Sequence, residues 1–241
     1  MLGCLACPVS TGAAVRYVNV NSASPSSPYT NWATAAVTIQ EAVDVALAGD
    51  EIVVTNGLYQ TGKGVAYSSG ELYPADASRV ALTKPLLLRS VNGPEVTVIH
   101  GYRVPGATNG PGPGALRCVY LTNGATLAGF TLTNGSSGPF GGGGVLCASG
   151  GIVSNCVLTG NSAVGLGGGG AAGGTLNNCI LVGNSAGDVG GGAGSSTLNN
   201  CRIIGNSAQN HGGGTHACVL NNCLVTGNSA GGFGGGAEGA S

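Results

Sequence analysis

Four cysteines, Cys156, Cys179, Cys201 and Cys223, stand 23, 22 and 22 residues apart, each directly after an asparagine: Asn155, Asn178, Asn200 and Asn222. A thiol beside a side-chain amide could serve as a nucleophile, a metal ligand or half of a disulfide, and each use requires particular company. A nucleophilic cysteine needs a base within hydrogen-bond reach, and the chain's three histidines are scattered. A structural metal site wants paired ligands at spacings such as CxxC. The NNC triplets contain no such pair, and His211 and His216 fall irregularly within one segment, where surface or corner positions are expected. Stacked in-register strands would separate equivalent Cβ atoms by about 4.8 Å, longer than the usual separation across a disulfide. The four cysteines are therefore expected to be small core residues with free thiols. The count of nine cysteines leaves at least one unpaired under any scheme.

A second group mixes charge with aromatic rings: Lys63, Tyr67, Glu71, Tyr73, Asp76 and Arg79, followed by Arg103 and Arg117. Rings and charges together suit a sugar polymer, so a ligand is expected at residues 60–80 and 100–117. Other ionisable residues read as structural. Glu41 and Asp44, three apart, fit the solvated face of a helix. Asp50 and Glu51 fit a corner, and Arg89 a hydrogen-bonding role. Between residues 141 and 232 the only charged residues are Asp188 and Arg202, and Phe, Trp and Tyr are missing. Acid, base and charge-stabilising roles fall on different side chains, so this stretch is a poor catalytic face. No catalytic residue and no metal ligand is assigned.

Composition narrows the class. Glycine makes up 48 of 241 residues and charged residues only 7%, yet 42% are hydrophobic, which is too much for a disordered polar tract. A net charge of −1 gives no basic face for nucleic acid. Residues 1–14, MLGCLACPVSTGAA, are uncharged and end with Gly12 and Ala14 at the spacing of a signal-peptidase site. They are expected to be the remnant of a secretory signal or a disordered leader, too short to span a membrane. The expected location is secreted or cell-surface.

The elements that must carry these residues are set by the repeat. Near-copies of TLNNCILVGNSAGD recur in step with glycine runs at 141–144, 167–170, 190–192, 212–214 and 234–236. A period of about 22 is too short for two helices and a turn, whereas its β-branched, Gly and Asn content suits strands and sharp corners. One repeat is then one coil of a β-solenoid. Val153, Leu176, Leu198 and Leu220 point inward, as do Leu158, Leu181, Ile203 and Val225. The position after each cysteine, which includes Arg202, faces out. Asn155, Asn178, Asn200 and Asn222 turn the corner, with left-handed backbone and a stacked amide ladder. The glycine runs serve corners and close coil contact. No strand-turn-helix unit with a ribose-binding acid follows them, as nucleotide binding would need, and calcium-binding Gly/Asp solenoids need an Asp in each repeat.

Upstream, residues 31–48 are predicted to form a helix with Ile39, Ala42, Val43, Ala46 and Leu47 on its apolar face and Gly49 as its stop. In LAGFTLTNG, Phe130 takes the cysteine position. The segments TIQEAVDVALAGDEIVVTNGLY, LLLRSVNGPEVTVIHG and LAGFTLTNG resemble the start of right-handed parallel β-helix proteins of the pectate-lyase-like superfamily. The glycine-rich repeats resemble those of polymorphic outer-membrane and autotransporter passenger proteins. The resemblance implies an all-β, right-handed parallel β-helix of ~22-residue coils with an N-terminal capping helix. After the leader, residues 15–140 hold the cap helix and first irregular coils. Residues 141–232 hold the regular coils, and 233–241 an incomplete, truncated coil.

Functions implied by the family divide. One is a structural, surface-display or adhesin-like protein that binds extracellular polysaccharide or cell-surface components without catalysis. The other is a polysaccharide lyase or glycoside hydrolase with its groove on the N-terminal coils. No cofactor is expected, with calcium reserved for the lyase. End-to-end association, or continuation in a longer solenoid, is the further expectation for partners.

Overall fold

The computed structural model describes residues 12–65, 77–106, 112–122, 124–148 and 150–241. Each repeat forms one four-sided coil. In the repeat from Thr175 to Ser196 the strands are Thr175–Asn177, Ile180–Val182, Ser185–Ala186 and Ala193–Gly194. Each pairs in parallel with its equivalents in the coils before and after, for example Leu176 with Val153 and Leu198, and Leu181 with Leu158 and Ile203. Four sheets result, of eight, seven, five and eight strands, the five-stranded one beginning only at Ser136–Ser137. Among the described residues, Gly64–Val65 runs antiparallel to Ala77–Leu82, and Tyr102 makes an antiparallel bridge to Leu116. Alternation places Leu127, Val153, Leu176 and Leu198 inside, along with Leu132, Leu158, Leu181 and Ile203, all fully buried in one continuous core.

Asn155, Asn178, Asn200 and Asn222 turn the first corner with φ between 50° and 53°. Asn tolerates this left-handed conformation better than β-branched residues do. These asparagines lie at the surface, where Asn222 Nδ2 donates to Asn200 Oδ1 at 2.7 Å. The buried ladder is elsewhere, on the GNSA asparagines Asn161, Asn184, Asn206 and Asn228. Asn161 N and Nδ2 both donate to Asn184 Oδ1, at 3.1 and 3.0 Å, while Asn184 N and Nδ2 donate to Asn206 Oδ1 at 2.9 Å. Each Nδ2 also reaches back to a carbonyl, Leu158 O for Asn184 and Leu181 O for Asn206. The lowest rung ends on Gly135 N, which donates to Asn161 Oδ1 at 2.9 Å. A third row, Asn177, Asn199 and Asn221, stacks amide to amide at 2.8 Å on the outer face of the first sheet.

The glycine runs and this ladder form one structural unit. A Cβ on Gly170 would lie 3.0 Å from Asn184 Cγ and 2.6 Å from Gly192 O. Glycine there leaves room for the amide column.

At the N-terminal end the structure differs from the predicted helix over 31–48. It forms a 3-10 turn, Trp32–Thr34, and a short α-helix, Ile39–Val45. Between them Ala36 bridges to Val18, with Ala36 N donating to Tyr17 O and Asn19 N to Ala36 O, so strand pairing takes the backbone that a continuous helix would need. Thr38 and Glu41 close a capping box. Lys84 Nζ covers the other end, donating to Val43 O and Ala46 O. Ile39, Ala42, Val43 and Ala46 pack into the core as expected; Leu47, at 60% exposure, does not. The first strand, Val15–Val18, precedes the helix and pairs with Glu51–Val54. No helix among the described residues is long and apolar enough to cross a membrane.

The two kinds of ladder should differ sharply in weight. Asn184→Ala removes the acceptor of Asn161 N and of one Nδ2–H of Asn161, together with the amide that donates to Leu158 O, in a dry interior. At about 1–3 kcal/mol per orphaned group, a loss of about 3 kcal/mol or more is expected. Asn199→Ala, on the outer row, should stay within about 0.5 kcal/mol. Urea midpoints of the two variants check this.

Candidate functional site

The mixed charged and aromatic group is only partly gathered. Tyr67, Glu71, Tyr73 and Asp76 lie outside the described residues. The antiparallel register of Gly64 with Ser78 brings Lys63 level with Arg79. Lys63 and Arg103 are exposed. Arg79 instead works as a staple: Nη1 donates to Gly62 O at 2.6 Å and Nε to His100 O at 2.9 Å, tying three segments together. Arg117 departs from the expectation of a surface ligand-binding residue. It sits in the strand Arg117–Leu121, with every member buried, at 1% exposure. The Gly/Pro composition around it suggests a loop, but its strand lies between Ala77–Leu82 and Val145–Cys147.

The remaining charges on the early coils are largely committed to the fold. Asp50, 4% exposed, accepts from Ala14 N at 2.8 Å, Leu47 N at 2.9 Å and Arg16 Nη2 at 3.0 Å. Burial disfavours its charged form, but the donated N–H groups and the Arg16 guanidinium together outweigh that and hold its carboxyl below the usual range. Glu51 pairs with Arg89 across adjacent coils. Glu41 closes the helix cap and Asp44 accepts from Gln40 Nε2. No group of three or more His, Cys, Asp or Glu side chains is gathered among the described residues.

The thiols are free in all seven described cysteines. Cys156, Cys179 and Cys201 are at most 1% exposed, and Cys223 is partly buried. Each sulfur at this position accepts an N–H from the coil before: Phe130 N to Cys156, Cys179 N to Cys201 and Cys201 N to Cys223, all at 3.4 Å. Each also donates to a nearby carbonyl, such as Asn177 O for Cys179 and Asn199 O for Cys201. Burial pushes Cys118 and Cys147 up to about 12 and Cys156 up to about 11. The neighbouring Cys201 thiol, with burial, raises Cys179, while the Cys179 thiol and the N–H groups around Cys201 lower Cys201 against its burial.

One feature of the regular coils escaped the sequence reading. The residue just before each glycine run is Phe140, Leu166, Val189, His211 and Phe233. Phe140, Leu166 and Phe233 are 55%, 67% and 74% exposed, whereas Val189 is buried. Val189 bridges to His211, and the His211 and Phe233 rings stack with centroids 5.7 Å apart. Glu238 Oε2 lies 3.2 Å from His211 Nδ1. The signal was a fixed offset from each glycine run, obscured because the residue type changes from coil to coil.

No protein-family model matches the chain, and no curated protein does so either. Among solved structures, a rhamnogalacturonan lyase is similar, with a TM-score of 0.56 at 14% sequence identity. The likeness covers 94% of this chain and 60% of that one, so the chain spans less than two thirds of the lyase's length. The shared architecture is the right-handed parallel β-helix.

Because the folded-state pKa of Asp50 is depressed, its contribution to stability is present above the unfolded value of about 3.9 and is lost as pH falls through the folded one. Asp50→Asn should lower the thermal midpoint at pH 7. The gap to the parent should narrow as pH drops below about 4, which a series of melts from neutral to acid pH measures.

Proposed function

We propose that this chain is an exported β-helix rod that binds extracellular glycan along its flank without cleaving it. The observation that carries this reading is the row along the stack in which Phe140, Leu166 and Phe233 are exposed and His211 partly so, interrupted at the buried Val189. Solvent-facing aromatic and aliphatic side chains in line are uncommon on a protein with no partner. Ring faces pack well against the apolar C–H faces of sugar units. The flanking coils carry almost no charge, with Asp188 and Arg202 alone between residues 141 and 232, which favours a neutral or weakly charged polymer. Export is supported by the uncharged leader with Gly12 and Ala14 at processing-site spacing. The top coil, whose Leu220, Cys223 and Val225 are only partly buried, would accept a further coil or another end of the same kind.

A second reading, a polysaccharide lyase or hydrolase with its groove on the N-terminal coils, draws on the fold shared with the lyase and on exposed Lys63 and Arg103. The two readings separate in one assay. The chain is incubated with neutral and uronate polysaccharides, with and without calcium, while binding and unsaturated or reducing ends are followed. Retention without new ends, weakened about tenfold or more by Phe140→Ala plus Phe233→Ala, is the expected result; loss of two aromatic contacts removes about 1.4 kcal/mol or more. New chain ends that vanish in Lys63→Ala or Arg103→Ala would establish the second reading instead.

A further inference from the structure

We propose that the thiol column is a binding site for a soft monovalent cation, Cu(I) or its analogue Ag(I), held in two-coordinate geometry between Cys201 and Cys223. Neighbouring residues in sequence offer no second ligand, but the next coil does. Strand pairing fixes the register on both sides of the corner, Leu198 against Leu220 and Ile203 against Val225. Cys201 and Cys223 therefore stand one coil apart, at about 4.8 Å. Two metal–thiolate bonds of about 2.3 Å placed end to end span about 4.6 Å. Both thiols donate to the carbonyl two residues before them, Asn199 O and Asn221 O, so the sulfurs repeat with the coil, and that spacing suits a linear sulfur–metal–sulfur bridge.

The chemistry of the donors selects the ion. Thiolates favour Cu(I) among the common biological metals. A tetrahedral ion such as Zn(II) needs four ligands, and no set of three is gathered among the described residues. On binding, the ion forms one bond to each sulfur and the two thiol protons leave to water. The bridged pair then carries one net negative charge. Backbone donors aimed at the sulfurs face that charge, Cys179 N–H at Cys201 Sγ and Cys201 N–H at Cys223 Sγ, both at 3.4 Å, while the S–H bonds to Leu176 O, Asn199 O, Leu198 O and Asn221 O are given up to the metal bonds. Entry is through Cys223, which is partly exposed, while Cys156, Cys179 and Cys201 are sealed in the core.

The test is an anaerobic titration of the full chain with Ag(I), Cu(I) and, separately, Zn(II), read by native mass spectrometry and by the thiolate-to-Cu(I) charge-transfer band. One Ag(I) or Cu(I) per chain is expected to bind ahead of any other, with Zn(II) much weaker. Cys201→Ser and Cys223→Ser should each abolish the band and weaken binding by at least about tenfold, the least that even loss of an outer-shell partner costs a metal site. Cys118→Ser is the control, since a hydroxyl can keep that residue's bonds to Thr133 O and Asn161 Oδ1. Circular dichroism confirms that each variant retains the parent's β structure; should Cys201→Ser fail to fold, Cys223→Ser carries the comparison. Uptake that follows the total number of thiols, persists in the folded variants, or is matched by Zn(II) would overturn the proposal.

Discussion

The regular half of this protein depends on one repeated pairing. The Oδ1 atoms of Asn184, Asn206 and Asn228 each accept both the backbone N–H and the Nδ2–H of the equivalent asparagine in the preceding coil. Polar groups buried in a narrow interior are costly unless they are matched, and this column matches itself at every rung. The arrangement works only if every coil supplies the same residue at the same height, which is the physical reason for the near-identity of the repeats. Glycine follows from the same requirement, because a side chain at Gly170, Gly192 or Gly214 would meet the asparagine beside it.

The cysteines solve a similar problem at the next corner. Their sulfurs take backbone N–H groups that turn inward where the chain bends. Phe130 fills the equivalent place in the earlier coil and is fully buried, so the position is first a packing site. The regular spacing needed for packing also places sulfur above sulfur. Chemistry on this column would be a consequence of stacking, with no separate motif behind it.

The two halves handle charge in opposite ways. On the N-terminal coils, Asp50, Arg16, Glu51, Arg89, Lys84 and Arg79 are held in pairs or on backbone carbonyls, where they fasten the irregular turns and the capping helix to the stack. The regular coils have little charge and present amide rows and small residues.

The solenoid, its period and its inward positions were legible in the sequence because each coil repeats the same local pattern and the repeats report on one another. Leu176, Cys179 and Leu181 could be assigned to the core from their columns alone, and the left-handed corner from Asn178. Three things required the tertiary structure. Both asparagine sets recur with the same interval, so period alone could not show that Asn184 is buried and Asn178 exposed; that depends on how sharply the backbone turns at each corner. Arg117 reads as a loop cation beside Gly and Pro, but its strand lies between two others, and burial is a property of those neighbours. The helix over 31–48 was cut short because Ala36 found a strand partner in Val18, a contact between distant residues that local helix propensity does not encode. The sequence by itself determined what repeats; packing between coils decided which face of each repeat meets water, since burial is fixed by neighbours that no single coil contains.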